Sequence, residues 1–175
     1  MSIEYISREA KKIIHQYKTD DPESLCRHMN ISLIFASMGS GSADCKGFYL
    51  IQSRKQVIVV NNDLPEKIQK IIIAHEIGHA VLHKKISKLK AFHDFALFDE
   101  TSIFEYEANI FAADVLMNDS EVLDLLNDDI SFFQAARRLD VPAELLDFKF
   151  RILKRKGYKV VDPPFVSNSN FLKNI

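Results

Sequence analysis

The chain has 175 residues, with 23 Lys and Arg against 24 Asp and Glu and a formal net charge of -1. That balance excludes a general attraction to nucleic acid or anionic lipid. Hydrophobic residues at 47% and charged residues at 27% exclude a disordered or membranous chain and suit one domain, or a domain with a small appendage, that can bury a genuine core.

No segment approaches transmembrane length, and the start, Met-Ser-Ile-Glu-Tyr-Ile-Ser-Arg-Glu-Ala, lacks the apolar run of a signal peptide. A cytoplasmic protein is expected, with Cys26 and Cys45 as reduced thiols. Residues 3–17 place Ile6, Ala10, Ile13, Ile14 and Tyr17 at helical spacing. Asp21-Pro22 starts a second short helix through Leu25 and Met29, with Asp21 as cap and Pro22 at the first helical position. His15 and His28 fall on these helices and read as surface or packing residues. Three strand-like runs follow, at 31–36, 47–52 and 56–61, the last two joined by Ser53-Arg54-Lys55 as a hairpin. Residues 38–46 form a small-residue loop without the Gly-Lys-Ser/Thr ending of a phosphate loop, so nucleotide binding is not expected and a flexible lip beside an active site is. An extended peptide can be held as an added strand along a sheet edge, and one of these three strands is expected to hold one.

Asp63 and Glu66 read as a capping box around Pro65, opening a helix over 68–82 that is apolar all round and therefore buried. It contains His75-Glu76-Ile77-Gly78-His79. Two histidines four apart project from one helix face at a separation one metal ion can bridge, and Zn²⁺ suits neutral imidazole. Glu76 sits just off that face, where it can act as general base on a water at the metal. Two imidazoles and a carboxylate left unpaired in a buried helix would cost several kcal/mol, which one zinc ion per chain removes. Gly78 permits close approach of another backbone or of substrate.

Residues 84–100 are irregular and carry Phe92, His93, Phe95, Leu97 and Phe98, which could line a substrate pocket or close the core. A second helix spans 102–117. Catalytic zinc needs a third protein ligand, and two acids compete for the place. Glu105 shares a face with Ala108, Asn109, Ala112 and Leu116, a small stripe suited to packing on the zinc helix, whereas Glu107 points the other way with Ile110 and Asp114. Glu105 is the expected ligand and Glu107 the alternative. A capping-box role with Ser102 is the competing use of Glu105. Asn109, one turn on, is placed to hydrogen-bond a ligand. A further oxyanion donor is expected, with Tyr106, Tyr49 and His83 as candidates, although His83 could simply cover the site.

His75-Glu-Ile-Gly-His79, followed about two dozen residues later by Glu105-Tyr-Glu-Ala-Asn-Ile-Phe-Ala-Ala113-Asp-Val-Leu-Met117, resembles the ImmA/IrrE family of bacterial metallopeptidases. The resemblance covers most of the chain. It implies a gluzincin-like zinc peptidase with His75, His79 and Glu105 on the metal and Glu76 activating water, acting in phage, integrative-element or stress circuits by cutting a helix-turn-helix repressor. Asn118 stands where many members have proline after the Leu-Met pair.

Residues 119–156 read as short helices, and 135–148 have the spacing of a helix, tight turn and second helix. Acids at Glu144 and Asp147 disfavour reading DNA, while Lys149, Arg151, Lys154, Arg155 and Lys156 gather beyond them; packing or partner docking is the preferred use of this segment. Residues 161–175 read as an extended or mobile tail. The expected fold is α+β, a small antiparallel sheet packed on helices, with a peptidase core at 1–118, a helical segment at 119–160 packed on or beside it, and the tail. The expected partner is a protein substrate, a repressor, with no specific nucleic acid and no membrane. The rival function is a zinc-binding regulator that acts on a partner or on DNA without proteolysis.

Overall fold

The computed structural model of the chain describes residues 1–41, 44–84, 92–94 (backbone only), 98, 102–127 and 130–160. Helix α1 (Ile3–Tyr17) begins where the Ser2 side chain accepts from Tyr5 N and ends at Lys18 in the left-handed conformation; Ile6, Ala10 and Ile13 form its buried stripe. Helix α2 (Pro22–His28) is capped by Asp21, which accepts from Ser24 N, with Pro22 at the start as its fixed φ favours. His28 stacks on Tyr17 at 5.5 Å between ring centroids, a packing role, and His15 is exposed.

The strands β1 (Ile31–Ala36), β2 (Gly47–Gln52), β3 (Lys55–Asn61) and β4 (Phe92–Asp94) form one sheet in the order β1-β3-β2-β4. β2 and β3 make the expected hairpin, turned by Ser53 and Arg54, both at positive φ. The sheet is mixed and not purely antiparallel, because β1 runs parallel to β3, Ile31 opposite Gln56 and Ala36 opposite Asn61. β1 thus lies on the far side of β3 from β2, and the hairpin lies to one side of it. Of the three strands expected from the sequence, only β1 keeps a free edge among the described residues, since β2 pairs with both β3 and β4.

Asp63 does not cap the next helix. Its carboxylate instead accepts from Ser37 Oγ at 2.7 Å, Met38 N at 3.0 Å and Gly39 N at 2.7 Å, and Pro65 takes the N-cap place without a side-chain bond. Asn61, fully buried, adds bonds from Nδ2 to the carbonyls of Gly39 and Cys45. The described parts of the 38–46 loop, read as a flexible lip, are thus tied to the end of β3. Glycine at 39 suits its φ of 90°.

Helix α3 (Glu66–Leu82) lies on β2 and β3, and every residue from Ile71 to Ala80 is buried. Helix α4 (Ile103–Leu116) packs behind it, buried from Glu107 to Val115, and is covered in turn by α1 and by the last helix. Helices α5 (Asp119–Asn127), α6 (Phe132–Arg138) and α7 (Ala143–Arg155) follow. Leu145, Leu146, Phe148, Phe150, Ile152 and Leu153 of α7 belong to the same hydrophobic core as α1, α3 and α4.

The first half of α7 is not free to read DNA. Its residues Glu144 to Phe150 are all buried, and buried side chains cannot reach base edges, while Arg155 in its last turn is exposed. Lys149, one of the gathered basic residues, is 1% exposed; its Nζ lies 2.6 Å from Asp114 and 2.7 Å from Asp119. Asp114 also accepts from Ser7 Oγ, so this ionic cluster joins α1, α4, α5 and α7. Arg151 is bonded to Asp147 and lies over the Tyr106 ring at 5.6 Å.

Of the aromatic loop at 84–100, Phe98 is buried and packs on Phe148 at 6.3 Å between centroids, while Phe92 and His93 are described only as backbone in β4. Phe95 and Leu97, like the tail at 161–175, lie outside the described residues. No helix among the described residues is long and apolar enough to cross a membrane.

Candidate metal centre

The site is made by the contact of α3 with α4, and Gly78 sets how close they come. A Cβ at Gly78 would lie 3.1 Å from Ala108 Cα and 3.3 Å from Ala108 O, so two helix backbones meet where neither carries a bulky side chain. The sequence left open whether the glycine faces a backbone or a substrate; it faces α4.

Across this contact the structure brings together His75, His79 and Glu105. His75 Nε2 lies 3.0 Å from His79 Nε2 and 3.0 Å from Glu105 Oε2, and His79 Nε2 lies 3.4 Å from the same oxygen. One ligand atom from each of the three can be chosen so that all lie within 4.8 Å of one another. Two imidazole nitrogens and one carboxylate oxygen are a donor set that fits a divalent zinc ion. Burial pushes the Glu105 carboxyl up, but the bonds to His75 and His79 and their charges outweigh it and hold the group well below the usual carboxylate range. Ser102 caps α4 by accepting from Phe104 N, so the capping-box use of Glu105 does not form.

Each histidine is held at its other ring nitrogen. Asn109 Oδ1 lies 2.9 Å from His75 Nδ1, the contact expected from the one-turn spacing. His79 Nδ1 lies 2.9 Å from His83 Nδ1, and His83 Nε2 lies 2.8 Å from Glu107 Oε2. Glu107, weighed as an alternative ligand, is 2% exposed and turned toward His83; its other oxygen meets the amino group of Met1. Burial, with His79 and His75 nearby, pushes the His83 imidazolium down to about 3.

Glu76 is fully buried, and its carboxylate lies beside the start of β2: a Cβ on Gly47 would come within 3.5 Å of Glu76 Oε1 and 2.5 Å of Ile72 Cγ2. Gly47 is a site neighbour that sequence reasoning missed, because a strand-opening glycine carries no signal of what approaches it. The three oxyanion candidates lie in different surroundings. The Tyr49 hydroxyl, pushed up to about 12 by burial, donates to Gln56 at 2.7 Å; the Tyr106 ring packs edge-on against Phe148; both nitrogens of His83 face His79 and Glu107.

The sequence has relatives among known proteins. The IrrE N-terminal-like domain family, peptidase family M78, matches residues 26–151. Immunity region protein 2 of Bacillus phage phi105 is 31% identical over 144 residues, covering 82% of this chain and 88% of its own. Metallopeptidase ImmA of Bacillus subtilis strain 168 is 23% identical over 154 residues, covering 82% of this chain and 83% of its own.

Proposed function

Because the chain belongs to the ImmA/IrrE family of metallopeptidases, we propose that it is a zinc-dependent endopeptidase of gluzincin type that cuts a helix-turn-helix transcriptional repressor. His75, His79 and Glu105 hold the ion, and Glu76 is the catalytic base. The observation that carries this reading is the convergence of those three donors, within 4.8 Å, beside a fully buried glutamate on the same helix turn. When bound, zinc supplies Lewis acidity, which acidifies a water and polarises the scissile carbonyl.

The remaining steps belong to the chain itself. Glu76 takes the proton of the attacking water and delivers it to the leaving amine. The Glu76 carboxylate is buried beside the glycine that opens β2, and the missing side chain at Gly47 leaves it room there. Asn109 holds the His75 ring in place.

A regulatory substrate is supported by the likeness to an immunity region protein of a phage and to ImmA. The rival is a zinc regulator that acts on a partner or on DNA without proteolysis, and the burial of Glu144 to Phe150 in α7 disfavours its DNA-binding form. The test is to incubate the purified chain with the helix-turn-helix repressor encoded beside its gene and follow intact mass. Wild type should cut at one position, and Glu76→Gln should retain zinc yet leave the repressor whole. Equal cleavage by both proteins would remove Glu76 from the chemistry; no cleavage by zinc-loaded wild type would remove this substrate.

A further inference from the structure

Helices α1 and α7 pack side by side over α4 and leave between them a cleft of about 610 Å³, lined by no residue of the candidate metal centre. Its surface is almost wholly apolar, floored by Ile3 and Ile152 with the methylene stems of the long side chains around them. The rim is the opposite. Arg8, Lys11, Lys12, Arg155 and Lys156 line the cleft against one acid, Glu4, in a chain whose net charge is -1. Lys11 and Lys156 both hold Asp119, at 3.0 and 2.7 Å, and Lys12 lies 3.5 Å from Glu9. Arg8 on the α1 wall and Arg155 on the α7 wall are exposed, and neither makes an ion pair or a hydrogen bond among the described residues. Arg8 lies over the Tyr5 ring at 5.2 Å, which leaves its N–H groups unused.

A planar guanidinium with free donors is a bidentate seat for a carboxylate. Two such groups face each other here across an apolar floor. The complementary ligand is a helix with an apolar stripe for the floor and Asp or Glu on its flanks for the walls, the helix-in-groove mode of recognition. A nucleic acid strand suits the cleft poorly, because no Phe, Tyr or Trp among the described lining residues offers a base a stacking surface. An anionic bilayer is flat, so it would touch the rim and leave the floor empty. We propose that the cleft between α1 and α7 docks an acidic amphipathic helix of a partner protein, held by Arg8 and Arg155 across Ile3 and Ile152. Neither the metal nor the bond that is cut enters this assignment.

The probe is a synthetic peptide of about 18 residues, about five helical turns, with Leu at helical spacing along one face and Glu on both flanks. It is titrated into the purified full chain by fluorescence anisotropy. Binding should weaken as salt is raised, since the rim contacts are partly screened. Arg8→Glu combined with Arg155→Glu should weaken it at least about tenfold at low salt, because each reversal turns an attraction into a like-charge contact. Both positions are exposed, so the melting temperature should stay near that of wild type. Amide shift changes on binding should fall on residues 3–16 and 152–156. Two control peptides separate the parts of the claim: one with Lys in place of Glu should not bind, and one with Ser in place of Leu should bind at least about tenfold more weakly. No binding of the Leu/Glu peptide at low salt, equal binding by the double variant, or equal binding of the Ser peptide would overturn the proposal. Tighter capture of duplex DNA or of phosphatidylserine vesicles through the same two arginines would overturn it as well and assign the rim to another polyanion. None of these measurements needs cleavage, so a negative result leaves the peptidase reading in place, and failure of that reading leaves this one in place.

Discussion

Gly78→Ala adds one methyl group at the narrowest point between α3 and α4. The new Cβ would stand 3.1 Å from Ala108 Cα, 3.3 Å from Ala108 O and 3.3 Å from Phe111 Cβ. Two of those atoms are helix backbone, so no side-chain rotation relieves the contact and α4 must move as a body by a few tenths of an ångström. Overpacking of this kind costs about 1–3 kcal/mol. Alanine returns about 1 kcal/mol of helix propensity, which leaves a net loss of about 1 kcal/mol by difference. For a chain of this size that lowers the melting temperature by about 2–4 °C. The displaced helix also carries Glu105, three residues before Ala108, so the ligand oxygen moves away from the two histidine nitrogens. Zinc binding should weaken, and each tenfold loss of affinity removes about 1.4 kcal/mol of the stabilisation zinc confers at saturating concentration. The expected result is a larger melting-temperature loss in the zinc-loaded protein than in the metal-free one, together with a weaker dissociation constant by chelator competition. A variant that melts higher in both forms and binds zinc as well as wild type would show that the helices have room to spare, and the argument from close approach would fall.

Other perturbations report on other parts of the structure. Glu105→Ala should lose most zinc, measured by metal analysis after dialysis, because it removes one of three donors; full zinc content would move the third ligand elsewhere. Asp119 is pushed up by burial but pulled down further by bonds from Lys149, Lys156 and Lys11, so its folded pKa lies below the ordinary 3.8. A depressed carboxyl stabilises the fold above its unfolded value and loses that contribution as pH falls through the folded one. Urea midpoints of wild type and Asp119→Asn should therefore differ most from about pH 5 upward and converge as the pH drops below the ordinary aspartate range; a gap that widens toward acid would contradict the sign. A chain stopped after Asn118 should show no cooperative thermal unfolding, since the α7 side chains that cover α1 and α4 are gone; a sharp, wild-type-like transition would show that residues 1–118 close their own core.

The helix that carries His75 and His79, and the meeting of Glu105 with them, were legible because both rest on helical period. Glu105 shares a face with Ala108 and Ala112, and that face meets α3. The α+β class and the β2–β3 hairpin were readable for the same local reasons. The partnership of β1 with β3 was not, since a strand's alternation says which faces it offers and nothing of which neighbour lies across or in which direction it runs. The uses of Glu107 and Lys149 were hidden by distance along the chain: Glu107 meets a histidine 24 residues away, and Lys149 an aspartate 35 residues away. A lysine in a basic run looks solvated until its counter-ion is located. Asp63 and Glu66 carried the pattern of a cap, yet three donors at 37–39 competed for the aspartate and won it.

The place of α4 between α3 on one side and α1 and α7 on the other has a consequence for synthesis. A nascent chain that has emerged as far as α4 already carries all three donors and the glutamate, but α4 still lacks the cover of its last neighbour. The ionic cluster that locks α4 to α1, through Asp114 and Ser7, is completed by Lys149, which emerges 35 residues later. Assembly of the centre is thus tied to contacts of long sequence separation, which form late because the intervening chain must be ordered first. The helix that carries Glu105 is thus buttressed by a part of the chain that is translated after every residue of the candidate centre.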